Sequence, residues 1–258
     1  MASNWSFTET ASSMQSGSIN IVPLYVPGEK TYASPPQLVY NNGPVLGAVQ
    51  VFTIFWGTAW QQAPLSDMVQ YMNSFFDYIL TSSLMDQLAE YSTPHQQIGH
   101  GSRIGTTTLT TPEPASTVSD SDIQQMLQNA IANNSAFPQP GSNTLYFVFL
   151  PSGVTVQQGG SSSCSTFCGY HDAINGQIFY TVMPYPDCSG CMGNLTTQDA
   201  LTSTSSHELC EAVTDPIPGQ GWYDQNNGEI GDICAWQTKK VGNYTVQQEW
   251  SNKANSCV

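Results

Sequence analysis

Two stretches of this chain, residues 45–57 (VLGAVQVFTIFWG) and 144–156 (TLYFVFLPSGVTV), are nearly continuous runs of apolar, β-branched and aromatic residues. A strand with one face in water alternates apolar and polar residues, whereas a strand covered on both faces does not. The chain therefore has to build a sheet and lay other elements over it. Two segments supply helical cover. In residues 64–91, Ser66 is a capping residue and Val69, Met72, Phe76, Leu80 and Leu84 recur at helical spacing. In residues 119–134, capping residues precede Ile123, Met126, Leu127 and Ile131. Residues 169–185 read as a hairpin turning through Asn175-Gly176, with Ile178, Tyr180 and Val182 alternating. Residues 104–114 (IGTTTLTTPEP) read as a strand or loop, and residues 221–250 as turns and short strands. The expected fold class is α+β, with mixed α/β layers. Residues 1–35 read as an extended polar leader and residues 36–258 as one domain with a cysteine-rich C-terminal half, without internal repeats.

A third helix is expected over residues 196–216 (TTQDALTSTSSHELCEAVTDP), ended by Pro216. His207 and Glu211 are four apart and project from one face of it. A helix presenting two ligands at that spacing is the rigid half of a metal site, and zinc accepts carboxylate oxygen as well as imidazole nitrogen. A carboxylate in the second position lowers the charge of the site by one unit and tilts it toward harder cations. Glu208, next to His207, holds the place of a general base that takes a proton from water.

The stretch HELCEAVTDP, followed by YDQNNGEIGDI, resembles the thermolysin-like metallopeptidases, the gluzincins. The resemblance implies a zincin-like mixed sheet packed on helices and a Zn2+-dependent peptidase acting on a peptide or protein substrate. It implies Glu229 as third ligand and Asp232 as acceptor of a hydrogen bond from the His207 ring, with Asp232 the other candidate ligand. The chain departs from the family pattern in having Glu211 where a second histidine is expected. A looser similarity, carried by PPQLVYNNGPVLGAVQVFTIFWG, CGYH and the paired cysteines, is to the EXORDIUM or phosphate-induced proteins. It implies an extracellular setting. The rival readings are thus a non-catalytic extracellular module that binds a glycan or cell-wall partner, and a metal enzyme of another reaction class. The cation is Zn2+, another divalent ion, or none.

Two further residues are candidates at the site. His171, in CGYHDA, is placed to reach a metal or to stabilise a developing oxyanion, and Tyr223 to donate to a tetrahedral intermediate. His95 and His100 read as loop residues. The pairs Cys164/Cys168 and Cys188/Cys191 read as two disulfides, or as the four thiolates of a structural zinc. Cys210 faces away from His207 and Glu211, as a core thiol or bridged to Cys234 or Cys257.

Composition excludes some partners. Only 9% of residues are charged and the net charge is −14, against about a quarter charged in ordinary soluble domains. A chain so acidic is repelled by nucleic acid and by anionic lipid, and no apolar run is long enough to span a bilayer. The N-terminus lacks the basic start and apolar core of a signal peptide. Composition and resemblance together favour an extracellular location, and the oligomeric state is left open.

Overall fold

The computed structural model describes residues 21–28, 32 and 34–258. The first twenty residues of the expected leader, together with 29–31 and 33, lie outside the described residues. The rest of that leader is not merely wrapped on the surface: Ile21–Pro23 forms the first strand, β1, of the main sheet. The other strands of that sheet are β2 (Gln50–Trp56), β3 (Ser102–Leu109), β4 (Thr144–Phe149), β5 (Phe167–Ile174) and β6 (Ile178–Met183). They lie in the order β1-β5-β6-β4-β2-β3. β6, β4, β2 and β3 are parallel to one another, while β5 runs antiparallel to both β1 and β6. The sheet is mixed and packed with helices, an α+β architecture.

The two apolar runs occupy adjacent central strands. On β4, Leu145, Phe147 and Phe149 enter one core, and Tyr146 and Val148 enter the other. The first core is covered by α1 (Leu65–Ile79), the second by α2 (Asp120–Asn133). Three expectations are corrected in detail. Ser66 does not cap α1, which starts directly after Pro64, a residue that tolerates the first turn because its missing N–H has no partner there. The apolar run on to Leu84 is split, because the side chain of Ser82 accepts the Leu84 N–H and starts a separate short helix, Ser83–Leu88. The second apolar run also breaks after Phe149, at Pro151 and Gly153, and Thr155–Gln158 joins a small separate sheet. The hairpin turn is as expected, with Asn175 and Gly176 at φ 53° and 65°, the left-handed pair that a two-residue turn requires.

The motif helix, α3 (Thr197–Thr214), begins at Thr196, whose side chain accepts the Asp199 N–H. It lies on the same face of the sheet as α1, and every residue from Ala200 to Thr214 is buried. A helix buried all round is usually apolar all round; this one is rich in Ser and Thr. The hydroxyls of Thr202, Ser206 and Thr214 bond to nearby backbone, while Ser205 Oγ has no hydrogen-bond partner. Thr202 donates to the Thr245 carbonyl at 2.7 Å, and Ser206 accepts the Gln247 N–H at 2.9 Å. These bonds lock α3 against strand β8 (Tyr244–Gln247), which pairs with β7 (Thr238–Val241). A short helix, α4 (Ile230–Ile233), closes the other side.

Disulfides join Cys164 to Cys188, Cys168 to Cys191 and Cys234 to Cys257. Each bond of the first two links one close pair to the other, so the disulfide reading holds and the thiolate-zinc reading does not. Cys210 is a free, buried core thiol and is bridged to neither Cys234 nor Cys257. Among the described residues, no helix is long and apolar enough to cross a membrane.

Candidate metal centre

Three elements converge on one buried point. α3 presents His207, Glu208 and Glu211; β5 presents His171; and Glu229 precedes α4. All five side chains are fully buried. His207 Nε2 is 2.9 Å from Glu211 Oε1. His171 Nδ1 lies 3.1 Å from Glu208 Oε2 and 3.5 Å from Glu211 Oε2, and His171 Nε2 lies 3.7 Å from Glu229 Oε2. Two sets of donor atoms fall within 4.8 Å of one another: His171, Glu211 and Glu229, and His207, Glu208 and Glu211. Of the sequence-derived ligands, His207 falls with Glu211 in one set and Glu229 with Glu211 in the other, and His171 joins the latter from a distant strand.

Close backbone approach makes this possible at two glycines. A Cβ on Gly231 would meet the His207 ring at 2.8 Å, so the α4 backbone lies against that ring. A Cβ on Gly169 would come within 2.9 Å of Thr204 and 3.2 Å of Glu208 Oε1, so β5 packs directly on α3.

The other sequence candidates have different surroundings. The Asp232 carboxylate accepts the Glu229 N–H at 3.1 Å, and its own backbone N–H donates to Glu211 Oε1 at 3.0 Å. The atom facing His207 Nδ1, where the resemblance puts Asp232, is Gln247 Nε2 at 2.8 Å. Tyr223 is part-exposed on a two-residue strand paired with Val39, and the five buried side chains converge without it. His100 is on the surface with Asp86, at 2.9 Å, and His95 is in a loop. Sequence reading missed Gln247 and Asp215. The Asp215 carbonyl is 3.1 Å from His171 Nε2, and its carboxylate accepts the N–H groups of Gly219, Gln220 and Gly221. Neither residue carried a local signal: a glutamine on a short strand and an aspartate ending a helix are common.

Charge is the unsolved quantity at this point. Glu208 Oε1, Glu211 Oε2, both Glu229 oxygens and His207 Nε2 have no aligned hydrogen-bond partner. Among the described residues, Arg103 pairs with Asp77, Lys240 with Asp199, and Lys239 with Gln87 and the Val258 carbonyl, while Lys253 is exposed. Three buried carboxylates therefore share two imidazoles and no permanent cation, a costly arrangement unless protons or a metal fill it. Burial raises the pKa of Glu208, and burial with the nearby Glu211 and Asp215 raises that of Glu229 well above the usual range. For Glu211 burial acts in the same sense, but His207 and His171 overcome it and hold the pKa down at about 2. Burial opposes charge on the histidines. The surrounding glutamates nonetheless lift His171 well above its usual value and His207 to about 10. The donor at His207 Nδ1 works against a second proton on that ring. A bound cation reverses this pattern, replacing the protons the cluster otherwise has to hold.

No protein-family profile matches the chain, and no curated protein matches it. The functional reading rests on the chemistry of the site.

Proposed function

We propose that this protein is a metal-dependent hydrolase of zincin type, acting on a peptide or protein substrate, with Zn2+ the first candidate cation. The observation that supports this is the meeting of fully buried imidazole and carboxylate donors whose unpartnered atoms face one another. Glu211 and Glu229, with an imidazole of the cluster, would hold the cation. When bound, it polarises a carbonyl and acidifies water. Glu208 is the proton carrier. Its Oε2 lies 3.1 Å from His171 Nδ1, and its unpartnered Oε1 would accept a proton from the attacking water and return it to the leaving amine. Three disulfides and a surface poor in Lys and Arg suit an oxidising, extracellular setting, which belongs to the same proposal.

A second reading is favoured by the complete burial of the donors. Structural metal sites are closed, whereas catalytic ones keep a position open. On that reading the cation holds α3, β5 and α4 together in a non-catalytic, EXORDIUM-like module. One experiment separates the two: elemental analysis of the purified chain, then peptide-library digestion by the wild type and by Glu208→Gln. The hydrolase reading expects stoichiometric metal in both proteins and cleavage by the wild type alone, with the loss exceeding about 100-fold. Metal in both proteins with no cleavage by either leaves the closed site, and absence of metal sinks both readings.

A further inference from the structure

The two histidines of the cluster are held by different partners, and those partners decide which nitrogen each can offer. The Gln247 side chain is oriented by two backbone groups: its Oε1 accepts the Trp236 N–H at 3.1 Å, and its Nε2 donates to the Gly231 carbonyl at 2.8 Å. Turning the amide over would set donor against donor and acceptor against acceptor at both ends. The remaining Nε2 hydrogen points at His207 Nδ1, 2.8 Å away. That nitrogen therefore accepts, and the proton of the neutral ring belongs on Nε2. A histidine that ligates through Nε2 needs the opposite arrangement, with Nδ1–H donating to a carbonyl or carboxylate. His171 has the partner that such a ligand requires. Its Nε2 is 3.1 Å from the Asp215 carbonyl, an acceptor only, which leaves the Nδ1 lone pair facing Glu208 Oε2 and Glu211 Oε2.

We infer that His171, through Nδ1, is the imidazole ligand, and that the motif residue His207 is not a ligand but an N–H donor. The cation would be held between His171 Nδ1 and Glu211 Oε2, 3.5 Å apart, with Glu229, 3.7 Å from the other ring nitrogen of His171, completing the same donor set. His207 Nε2–H, fully buried, lies 2.9 Å from Glu211 Oε1 without being aligned on it, and so offers a hydrogen bond to an oxygen brought to the cation beside that carboxylate, whether from water or from a developing oxyanion. Gln247 is the positioning residue that enforces the assignment. One imidazole with two carboxylates is also a harder donor set than two imidazoles, which shifts preference from Zn2+ toward Mn2+ relative to a two-histidine site. This inference rests on the metal-bound reading above, but its key element, the proton on His207 Nε2, is present without metal.

The test is long-range 1H–15N correlation NMR on the full chain with labelled histidine, chelated and then titrated with ZnCl2, alongside direct zinc analysis. The expected result is an Nε2–H tautomer for His207 in both states and a metal-induced change at His171 Nδ1. A proton on His207 Nδ1, with Nε2 shifting on zinc addition, overturns the inference and leaves the metal reading standing. Failure of zinc to bind while His207 keeps its Nε2 proton overturns the metal reading and with it the ligand role of His171. Two variants extend the test. His171→Gln is expected to weaken zinc by more than about 100-fold, the upper end for loss of an outer-shell partner. Gln247→Glu supplies an acceptor at Nδ1, moves the proton there and frees Nε2 as an additional ligand, tightening zinc by about tenfold or more. Unchanged or weaker zinc binding in a folded Gln247→Glu protein counts against the inference.

Discussion

Tyr170 and His171 are neighbours on β5 and point to opposite faces of the sheet, Tyr170 into a part-buried polar cluster and His171 into a fully buried one. On the Tyr170 side, one carboxylate is fully served. Asp120 Oδ1 accepts from Tyr170 Oη and Tyr180 Oη, both at 2.7 Å, and Oδ2 accepts from Gln124 Nε2 at 2.7 Å. Asp120 also opens α2, where the helix N-terminus favours negative charge. On the His171 side, three carboxylates face two imidazoles, with the buried Asp215 carboxylate against Glu229, and four of the six glutamate oxygens have no aligned partner. The first cluster is complete from its own residues. The second is complete only when protons or a cation are added, and on the reading proposed above that contrast separates a structural network from a binding site.

The largest effect expected from breaking the contrast is at Glu211, which belongs to both convergent donor sets. Glu211→Ala should abolish metal retention through dialysis, a loss beyond the roughly 10–100-fold that removal of an outer-shell partner costs. Asp120→Asn, on the opposite face, should leave metal content unchanged. Chelation of the wild type should mimic Glu211→Ala. If the free metal had been about 100 times its Kd, its removal costs about 2.7 kcal/mol, or roughly 5–11 °C in melting temperature. Equal metal loss in the Asp120 and Glu211 variants would erase the distinction between the two faces.

The sequence exposes only part of this arrangement. His207, Glu208 and Glu211 are legible because a helix turns fixed spacing into a shared face, and Glu229 because the resemblance carried it. His171 is a candidate from its CGYHDA context, but its place among these carboxylates is not readable there: it comes from a strand 37 positions before Glu208, and the pairing of β5 with β6 and the packing of Gly169 on α3 bring it in. Such long-range placement leaves no periodic trace. Gln247 is harder still, since its role depends on where the Trp236 N–H and the Gly231 carbonyl end up. The central strands were readable from their unbroken apolar runs. The complete burial of α3 was not, because a Ser- and Thr-rich helix looks like a solvated one until β8 is seen to bond the Thr202 and Ser206 hydroxyls. The edge strand β1 was hidden in a leader whose composition is polar.

A second, intermediate effect is on the pH dependence of stability, and it sharpens the contrast without mutation. In the metal-free protein, Glu208, Glu229 and His171 have pKa values raised by folding. Each contributes stability that is fully present below its unfolded pKa, about 4.3 for Glu and 6.5 for His, and is lost as pH rises through the folded value. Glu211, lowered to about 2, contributes in the opposite sense: its share is present above its unfolded pKa and is lost as pH falls toward 2. The metal-free protein should therefore be most stable near pH 5 and weaken toward pH 8. Metal binding displaces those protons, so its affinity rises over the same interval. Melting curves at pH 5 and pH 8, with and without chelator, should show the chelator penalty widening with pH. A constant penalty would mean that no protons are exchanged for the cation.

The smallest effect belongs to the completed cluster. Tyr170→Phe keeps the buried ring, which packs edge-on against Phe167 and Tyr180 at centroid distances of 5.6 and 6.4 Å. It removes one of the donors to Asp120 and leaves the Tyr180 hydroxyl and the Gln124 amide in place. A hydrogen bond to a charged acceptor is worth about 1.5–3 kcal/mol. Because Asp120 keeps two donors and a helix N-terminus, the loss should fall near the low end, about 1–2 kcal/mol or roughly 2–8 °C. That decrement should be the same with and without chelator, since Tyr170 shares a strand with His171 but none of its partners. A Tyr170→Phe penalty that changed on chelation would mean that the two faces of β5 are coupled through the strand, and that the completed cluster is part of the site.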